Sequence, residues 1–355
     1  MKTSVLVIGT GTIGEPLIGL LLSLKAQLGL TEVIFHKHTP LLHDRSKVID
    51  LLNRGAQLAV NEGTAPQFEE LGMKPSYEKV EAIDRASVVI DCTPKGWGNQ
   101  NKRDYYQNFE HNTLGFIAQG SEFGFGKPYV HGINDEALVP GQDKYIQVLS
   151  CNTHNLAVLV QTIALSGGPD NLLSGRFVCI RRANDLSQDE KFVPAPTISQ
   201  HDEPRFGTHH ARDAYHLFRT LGLELNLFSS ALKVNSQYMH TIWFDLELKR
   251  PTTLQEVEER LRENPRVAVT YKKSANLVFS FGRDHGHYGR ILSNTVVVLP
   301  SLHVSEDGRK VTGFCFTPQD GNSLLSSLAA TLWFLDPENY TERLNVVRPF
   351  MFSEI

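Results

Sequence analysis

Along the first ninety residues the apolar positions switch between two periods. "SVLVIG" is a continuous apolar run of strand length, and residues 13–28 repeat their apolar positions at helical spacing. "EVIFH" predicts a second strand, "LLHDRSKVIDLLNRG" a second helix, and "ASVVIDCTPKG" a later strand with its exit loop. Strand and helix in alternation predict a parallel sheet covered on both faces. "TLGFIAQG" and "YIQVLSC" add two further strands to it.

After Cys151 the pattern changes. Residues 152–166 are helical in period, but "GRFVCIRRA", "LELNLFSSALKVN", "TIWFDLELKR", "RVAVTYKK" and "TVVVLPSLHV" are longer strands rich in β-branched and aromatic residues. A helix interrupts them where Thr253 and Glu256 stand at capping-box spacing before "LQEVEERLREN". "QDGNSLLSSLAATLWFL" returns to a helical period and is placed to pack back on the first domain. No internal repeat or low-complexity tract is present, and residues 184–215 form the longest stretch without a clear period.

The bulk numbers narrow the class. A chain of 355 residues calls for two domains, or one with an elaborate insert, and 41% hydrophobic with 21% charged residues is the composition of a globular protein. Lys and Arg total 35 against 39 acids, so a net charge of −4 argues against nucleic acid as a partner. The opening "MKTSVLVIGTGTIG" breaks its apolar run at Gly9, too early for a secretion signal, and no window reaches the roughly eighteen apolar residues of a membrane span. A cytoplasmic location is the expectation. Cys92, Cys151, Cys179 and Cys315 are widely spaced, which argues against a disulfide framework.

Gly9, Gly11 and Gly14 stand in G-x-G-x-x-G register between a strand and a helix. The first glycine allows a tight turn, the second lets backbone approach a pyrophosphate, and the third lets helix and strand pack closely. Thr12 and Ile13 complete this loop, whose helix amides would bind the phosphates. A tight turn with no ligand is the alternative. In an NAD-selective loop an acid about twenty residues on closes the second strand and binds the ribose 2′-hydroxyl. Here the strand closes with His36-Lys37-His38-Thr39, and no acid stands there. Lys37 would favour a 2′-phosphate, hence NADP with NAD still accepted; the alternative is a lysine that merely solvates a strand end.

A strand ending at Ser150 puts Cys151 at the carboxyl edge of the parallel sheet and in the first turn of a helix, whose dipole favours thiolate. That place suits a nucleophile, with Asn152 and Thr153 as donors to a developing oxyanion. The plainer reading is a small buried hydrophobe, which is kept for the other three cysteines.

"GTGTIG", "CTPKGWGNQN", "AQG", "SCNT", "RRAND", the paired histidines 209–210, "YMHT", "ENPRVAV" and "FGRDHGHYGR" resemble, in order and approximate spacing, the archaeal-type (type II) glyceraldehyde-3-phosphate dehydrogenases. The match runs from residue 4 to about 335. The resemblance implies a phosphorylating NAD(P)-dependent aldehyde dehydrogenase, glycolytic and homotetrameric, that oxidises glyceraldehyde 3-phosphate to 1,3-bisphosphoglycerate through a thioester on Cys151, cleaved by inorganic phosphate. It implies His240 as the base, although Tyr238 stands where the family often has a second histidine. Ser150, Asn152, Thr153, Arg182, His209 and His210 would meet the substrate; Thr93, Gly120, Arg181 and Gln319 would join the glycine loop and Lys37 around the cofactor. Ala211-Arg212-Asp213 replaces the family's usual Gly-Pro-Asp, and Arg212 is either a phosphate ligand or a solvated charge. For Arg181 and Arg182 an interdomain ion pair is the alternative.

The fold expected is α/β: a Rossmann-type doubly wound parallel sheet in residues 1–150 plus 319–355, joined to an α+β catalytic domain at 151–318 with a mostly antiparallel sheet. His36/His38 and His285/His287 would share a strand face, but neither pair has partners to complete a metal tetrahedron, so no metal is expected. A semialdehyde dehydrogenase of the same plan and a non-catalytic nucleotide-binding redox regulator remain as rival functions.

Overall fold

The computed structural model describes residues 3–185, 192–318 and 320–355. One sheet contains β1 (Ser4–Ile8), β2 (Glu32–His36), β3 (Gln57–Val60), β4 (Tyr77–Glu78), β5 (Val88–Asp91), β6 (Gly115–Gln119), β7 (Lys127–Tyr129) and β8 (Tyr145–Val148). Their order is β4-β3-β2-β1-β5-β6-β8-β7, and each neighbouring pair from β4 to β8 is parallel. Every residue of β1, β5 and β6 is buried, as helices on both faces require, which is why these strands read as unbroken apolar runs. Strand order reverses at β1, so the carboxyl ends of β1 and β5 flank a switch point, where such sheets bind ligands.

The second sheet contains β9 (Leu172–Arg181), β10 (Thr197–Ile198), β11 (Leu227–Lys233), β12 (Thr241–Leu248), β13 (Val267–Thr270), β14 (Thr295–Val298), β15 (His303–Val304) and β16 (Lys310–Phe316). Its order is β10-β11-β9-β12-β16-β14-β13, with β15 on β16. It is mixed: β9–β11 and β13–β14 are parallel, and the other pairs are antiparallel. Burial alternates along β12, so one face carries the core, with Phe244 and Leu246 from β12, Phe177 from β9, and Leu217 and Phe218. Truncating Phe244 to alanine would cost about 3–5 kcal/mol.

The chain divides into two compact units. One is Met1–Lys127, Leu138–Val148 and Ser327–Val346; the other is Pro128–Ala137, Leu149–Ser326 and Val347–Ile355. Thr253 and Glu256 form the capping box of the helix Leu254–Glu263, each side chain bonding the other's backbone amide. The helix His209–Arg219 begins inside the stretch without a period and runs past its end. Its buried face includes His210 and Asp213 beside Ala214, Leu217 and Phe218, and those polar residues hide the apolar repeat. His285 ends the helix Ala275–His285 while His287 enters a short bridge with Arg290, so the expected shared strand face is absent. Among the described residues no helix is long and apolar enough to cross a membrane.

Each unit buries a histidine that makes stability pH-dependent. His36 is lowered from 6.5 to about 4, by burial against the help of its bond to Asn61. His154 is likewise lowered to about 4, by burial. Its Nδ1 donates to the Ser150 carbonyl at 3.0 Å, which fixes the neutral ring, and its Nε2 meets Ser326 Oγ at 2.8 Å. Between pH 6.5 and 4 the unfolded chain therefore binds protons that the folded chain refuses. Stability present above pH 6.5 should fall as pH drops through that window, by about 3 kcal/mol per histidine at its lower end. Urea titrations at both limits test this; equal midpoints at the two limits would contradict it.

Candidate active site

The glycine loop leaves β1 for the helix Gly14–Ser23. Gly9 has φ 99° and its amide donates to the His36 carbonyl at 3.1 Å; a β-carbon there would lie 3.0 Å from the Cys92 carbonyl oxygen. At Gly14 a β-carbon would fall 2.0 Å from the Gly9 oxygen, so any side chain would push helix from strand. Gly11 is exposed, with open space where its side chain would be. The helix is preceded by Ile13 and has no side-chain cap, which leaves its first turn suited to an anion. Thr12 and Ile13 are partly exposed on the same loop. After β5, Thr93 donates through its amide (2.9 Å) and its hydroxyl to Asp91 Oδ1; after β6, Gly120 adopts φ 78°.

Lys37 departs from its expected setting. It is 7% exposed, and its Nζ lies 2.5 Å from Asp44 Oδ2, so it does not simply solvate a strand end. Lys47 Nζ is 2.7 Å from Asp44 Oδ1 and donates to the Thr10 carbonyl at 3.2 Å. An acid does reach the end of β2, therefore, but from the following turn and held between two lysines. Despite its partial burial, these lysines hold the Asp44 carboxyl below the usual range. His36 Nε2 and His38 Nδ1 both bind Asn61, at 3.0 and 2.9 Å.

In the other unit, Cys151 is the first residue of the helix Cys151–Leu159 and is partly exposed. Ser150 caps that helix, its Oγ 3.4 Å from the Thr153 amide and 2.8 Å from the Thr153 hydroxyl. Thr153 is fully buried, its amide donating to Ser150 Oγ and its hydroxyl sharing a bond with the same oxygen, and the Asn152 Oδ1 accepts from Thr317 at 3.2 Å. Thr153 thereby braces the turn that presents Cys151. The helix dipole would favour thiolate, yet the Cys151 thiol is pushed well above its usual value, by burial first and then by the Asp320 carboxylate beside it. Burial and a like charge outweigh half a dipole charge.

Arg182 organises the surroundings of the sulfur. Its guanidinium, 4% exposed as a residue, binds Asp185 and Asp320 through Nη2, each at 2.9 Å. Against its burial, these two carboxylates raise its pKa further. Its backbone amide donates to His240 Nδ1 at 2.9 Å. An amide can only donate, so the neutral ring carries its proton on Nε2. Burial, then Arg182 and Arg181, holds His240 well below its usual value, hence neutral. In this state it presents an N–H donor on Nε2.

His210 is buried, with Nδ1 3.5 Å from Ser150 Oγ and Nε2 lacking a partner among the described residues. Its ring lies 4.0 Å from that of the partly exposed His209. Burial, then His209, Arg181 and His240, lowers its pKa. Arg212 is neither a loop charge nor unengaged: it lies on the helix His209–Arg219 and pairs with Glu203, and with Asp213 at 2.8 Å. Gln319 lies outside the described residues. Asp44, Asp185 and Asp320 were missed from sequence; the Asp320-Gly321 pair signals a turn but not what its carboxylate would face.

No protein-family model matches the chain. Known proteins similar to it are glyceraldehyde-3-phosphate dehydrogenases. That of Methanobacterium bryantii is 30% identical over 252 residues, 64% of this chain and 67% of the relative. That of Metallosphaera sedula is 28% identical over 308 residues, covering 83% and 82%. That of Aeropyrum pernix is 30% identical over 268 residues, covering 74% and 71%. With these likenesses over a parallel sheet that carries a glycine loop and a second unit that carries the cysteine, the chain is an oxidoreductase that belongs to the archaeal-type glyceraldehyde-3-phosphate dehydrogenase family.

Proposed function

We propose that the protein oxidises glyceraldehyde 3-phosphate to 1,3-bisphosphoglycerate, with Cys151 as nucleophile and inorganic phosphate as the group that releases the acyl product. The observation that carries this reading is the cluster around Cys151: a reachable thiol beside Arg182 and Asp320, with His240 fixed by Arg182's backbone. The Cys151 sulfur attacks the aldehyde carbon, and the neutral His240 donates through Nε2 to the oxygen as charge gathers on it. His210 Nε2, buried and unsatisfied, is suited to a substrate or phosphate oxygen, which would relieve about 1–3 kcal/mol. Arg181, partly exposed at the end of β9, adds positive charge near both histidines.

The glycine loop fits a nicotinamide dinucleotide, with Gly9, Gly11, Thr12, Ile13 and Gly14 around the pyrophosphate and Thr93 and Gly120 at neighbouring strand ends. Bound there, the cofactor supplies a hydride acceptor. NADP is the preferred form in this reading, because Lys37 and Lys47 outweigh Asp44 by one charge. Asp44→Asn should then raise the ratio of kcat/KM for NADP over NAD, by roughly fivefold for one partly buried charge. A ratio that stays level or falls would remove the lysine pair as selector. Assembly as a homotetramer is part of this reading and is read by sedimentation.

The function is tested by cofactor reduction with glyceraldehyde 3-phosphate, with and without phosphate. Sustained turnover that needs phosphate is the expected result. Equal turnover without phosphate would point to hydrolysis of the thioester instead.

A further inference from the structure

A group of buried polar side chains gathers at the carboxyl end of β5. Asp91 is 2% exposed, and its Oδ2 accepts from Asn101 Nδ2 at 2.8 Å and from the Tyr106 hydroxyl at 2.5 Å. Its Oδ1 accepts from the Thr93 amide at 2.9 Å and from the Thr93 hydroxyl. Lys79 fixes the direction of this network: its Nζ can only donate and reaches Asn101 Oδ1 at 3.1 Å, which turns the Asn101 amide nitrogen toward Asp91. Lys79, Asn101 and Tyr106 are buried as well. A carboxylate can only accept, so Thr93 commits its one hydroxyl proton, as well as its amide proton, to Asp91. Lone pairs are what its Oγ has left for a ligand.

The place of Thr93 in the sheet decides what can meet those lone pairs. Thr93 is partly exposed, the Cys92 amide before it donates to the Ile8 carbonyl at 2.8 Å, and a β-carbon at Gly9 would stand 3.5 Å from the Thr93 nitrogen. Thr93 therefore flanks the glycine turn. β1 lies between β2 and β5, so a dinucleotide with its pyrophosphate at the helix after β1 and its adenosine ribose over the end of β2 carries its other ribose over β5. Pyrophosphate oxygens have no protons to give to an acceptor; ribose hydroxyls do. We propose, on the reading of the glycine loop as a nicotinamide dinucleotide site, that Thr93 Oγ accepts a hydrogen bond from a hydroxyl of the nicotinamide ribose, and that Asp91 is the positioning residue that makes it an acceptor. The pyrophosphate is left to the amides of the helix Gly14–Ser23. The loop that carries Thr93 is held at its far end too, where the Gly96 amide donates to Glu122 Oε1 and the Asn99 amide to Glu122 Oε2 at 2.9 Å.

The test is equilibrium titration of the full chain with two ligands: the dinucleotide it binds more tightly, NADP or NAD, and the analogue of it whose nicotinamide ribose lacks both hydroxyls. The wild type should bind the natural dinucleotide roughly tenfold more tightly, as one hydrogen bond allows. Thr93→Val should bind it roughly tenfold more weakly and the analogue as before, so that the preference disappears. Thr93→Ser, which keeps the oxygen, should keep the preference. Should the valine variant not fold, Thr93→Ala carries the same expectation. Asp91→Asn weakens the acceptor that holds the Thr93 proton and should cut the preference to roughly threefold, with no further change where Thr93 is already valine. A wild type that binds both ligands equally, or a preference that survives in Thr93→Val, overturns the role of Thr93. So does a valine variant that loses both ligands alike, the result expected of a donor to the pyrophosphate. An undiminished preference in Asp91→Asn overturns the role of Asp91. A wild type that binds neither NADP nor NAD removes the cofactor reading itself, an outcome distinct from equal binding of both ligands.

Discussion

Cys151→Ser should cut phosphorylating turnover by roughly a thousandfold or more, a loss of at least about 4 kcal/mol in transition-state stabilisation. The hydroxyl is a far weaker nucleophile than sulfur at neutral pH, and its alkoxide is a poor leaving group when phosphate attacks the acyl intermediate. The glycine loop belongs to the other compact unit, so nucleotide binding should change little. Paired measurements of turnover and of nucleotide affinity separate the two. Cys179 and Cys315 cannot take over: both are buried, and burial pushes each thiol up to about 12. Substantial residual turnover in the serine variant would remove Cys151 from the chemistry.

His240→Asn is expected to lower kcat roughly a hundredfold or more, the usual cost of losing one oxyanion donor. The asparagine oxygen can still accept from the Arg182 amide, so the backbone bond at 2.9 Å is retained in kind while the Nε2–H is lost. The distinguishing readout is alkylation of Cys151. A ring that served as base would, on removal, slow alkylation at neutral pH; a ring that only donates leaves it nearly unchanged. Slower alkylation with kcat reduced in proportion would return the role of base to His240.

The parallel sheet was legible because burial on both faces forces unbroken apolar runs, and the glycine spacing records two close backbone approaches, at Gly9 and Gly14. The alternating strands of the second sheet were legible for the opposite reason, one covered face, as along β12. The helix His209–Arg219 was not, since its buried face spends positions on His210 and Asp213. Among candidate site residues, Cys151 and the histidines stand out by residue type and local context. Asp44 and Asp320 do not, because their importance comes from what they face: Asp44 from two lysines, Asp320 from an arginine and a cysteine distant in the chain. The tautomer of His240 was equally hidden, being set by a single backbone amide on the neighbouring strand's end.

The measurement closest to the central claim is a rapid quench of the protein with glyceraldehyde 3-phosphate and NADP in the absence of phosphate, followed by peptide mass spectrometry. The account predicts an acyl adduct on Cys151 that disappears when phosphate is added before the quench. An adduct on Cys92, Cys179 or Cys315, or cofactor reduction with no adduct on any cysteine, would contradict it.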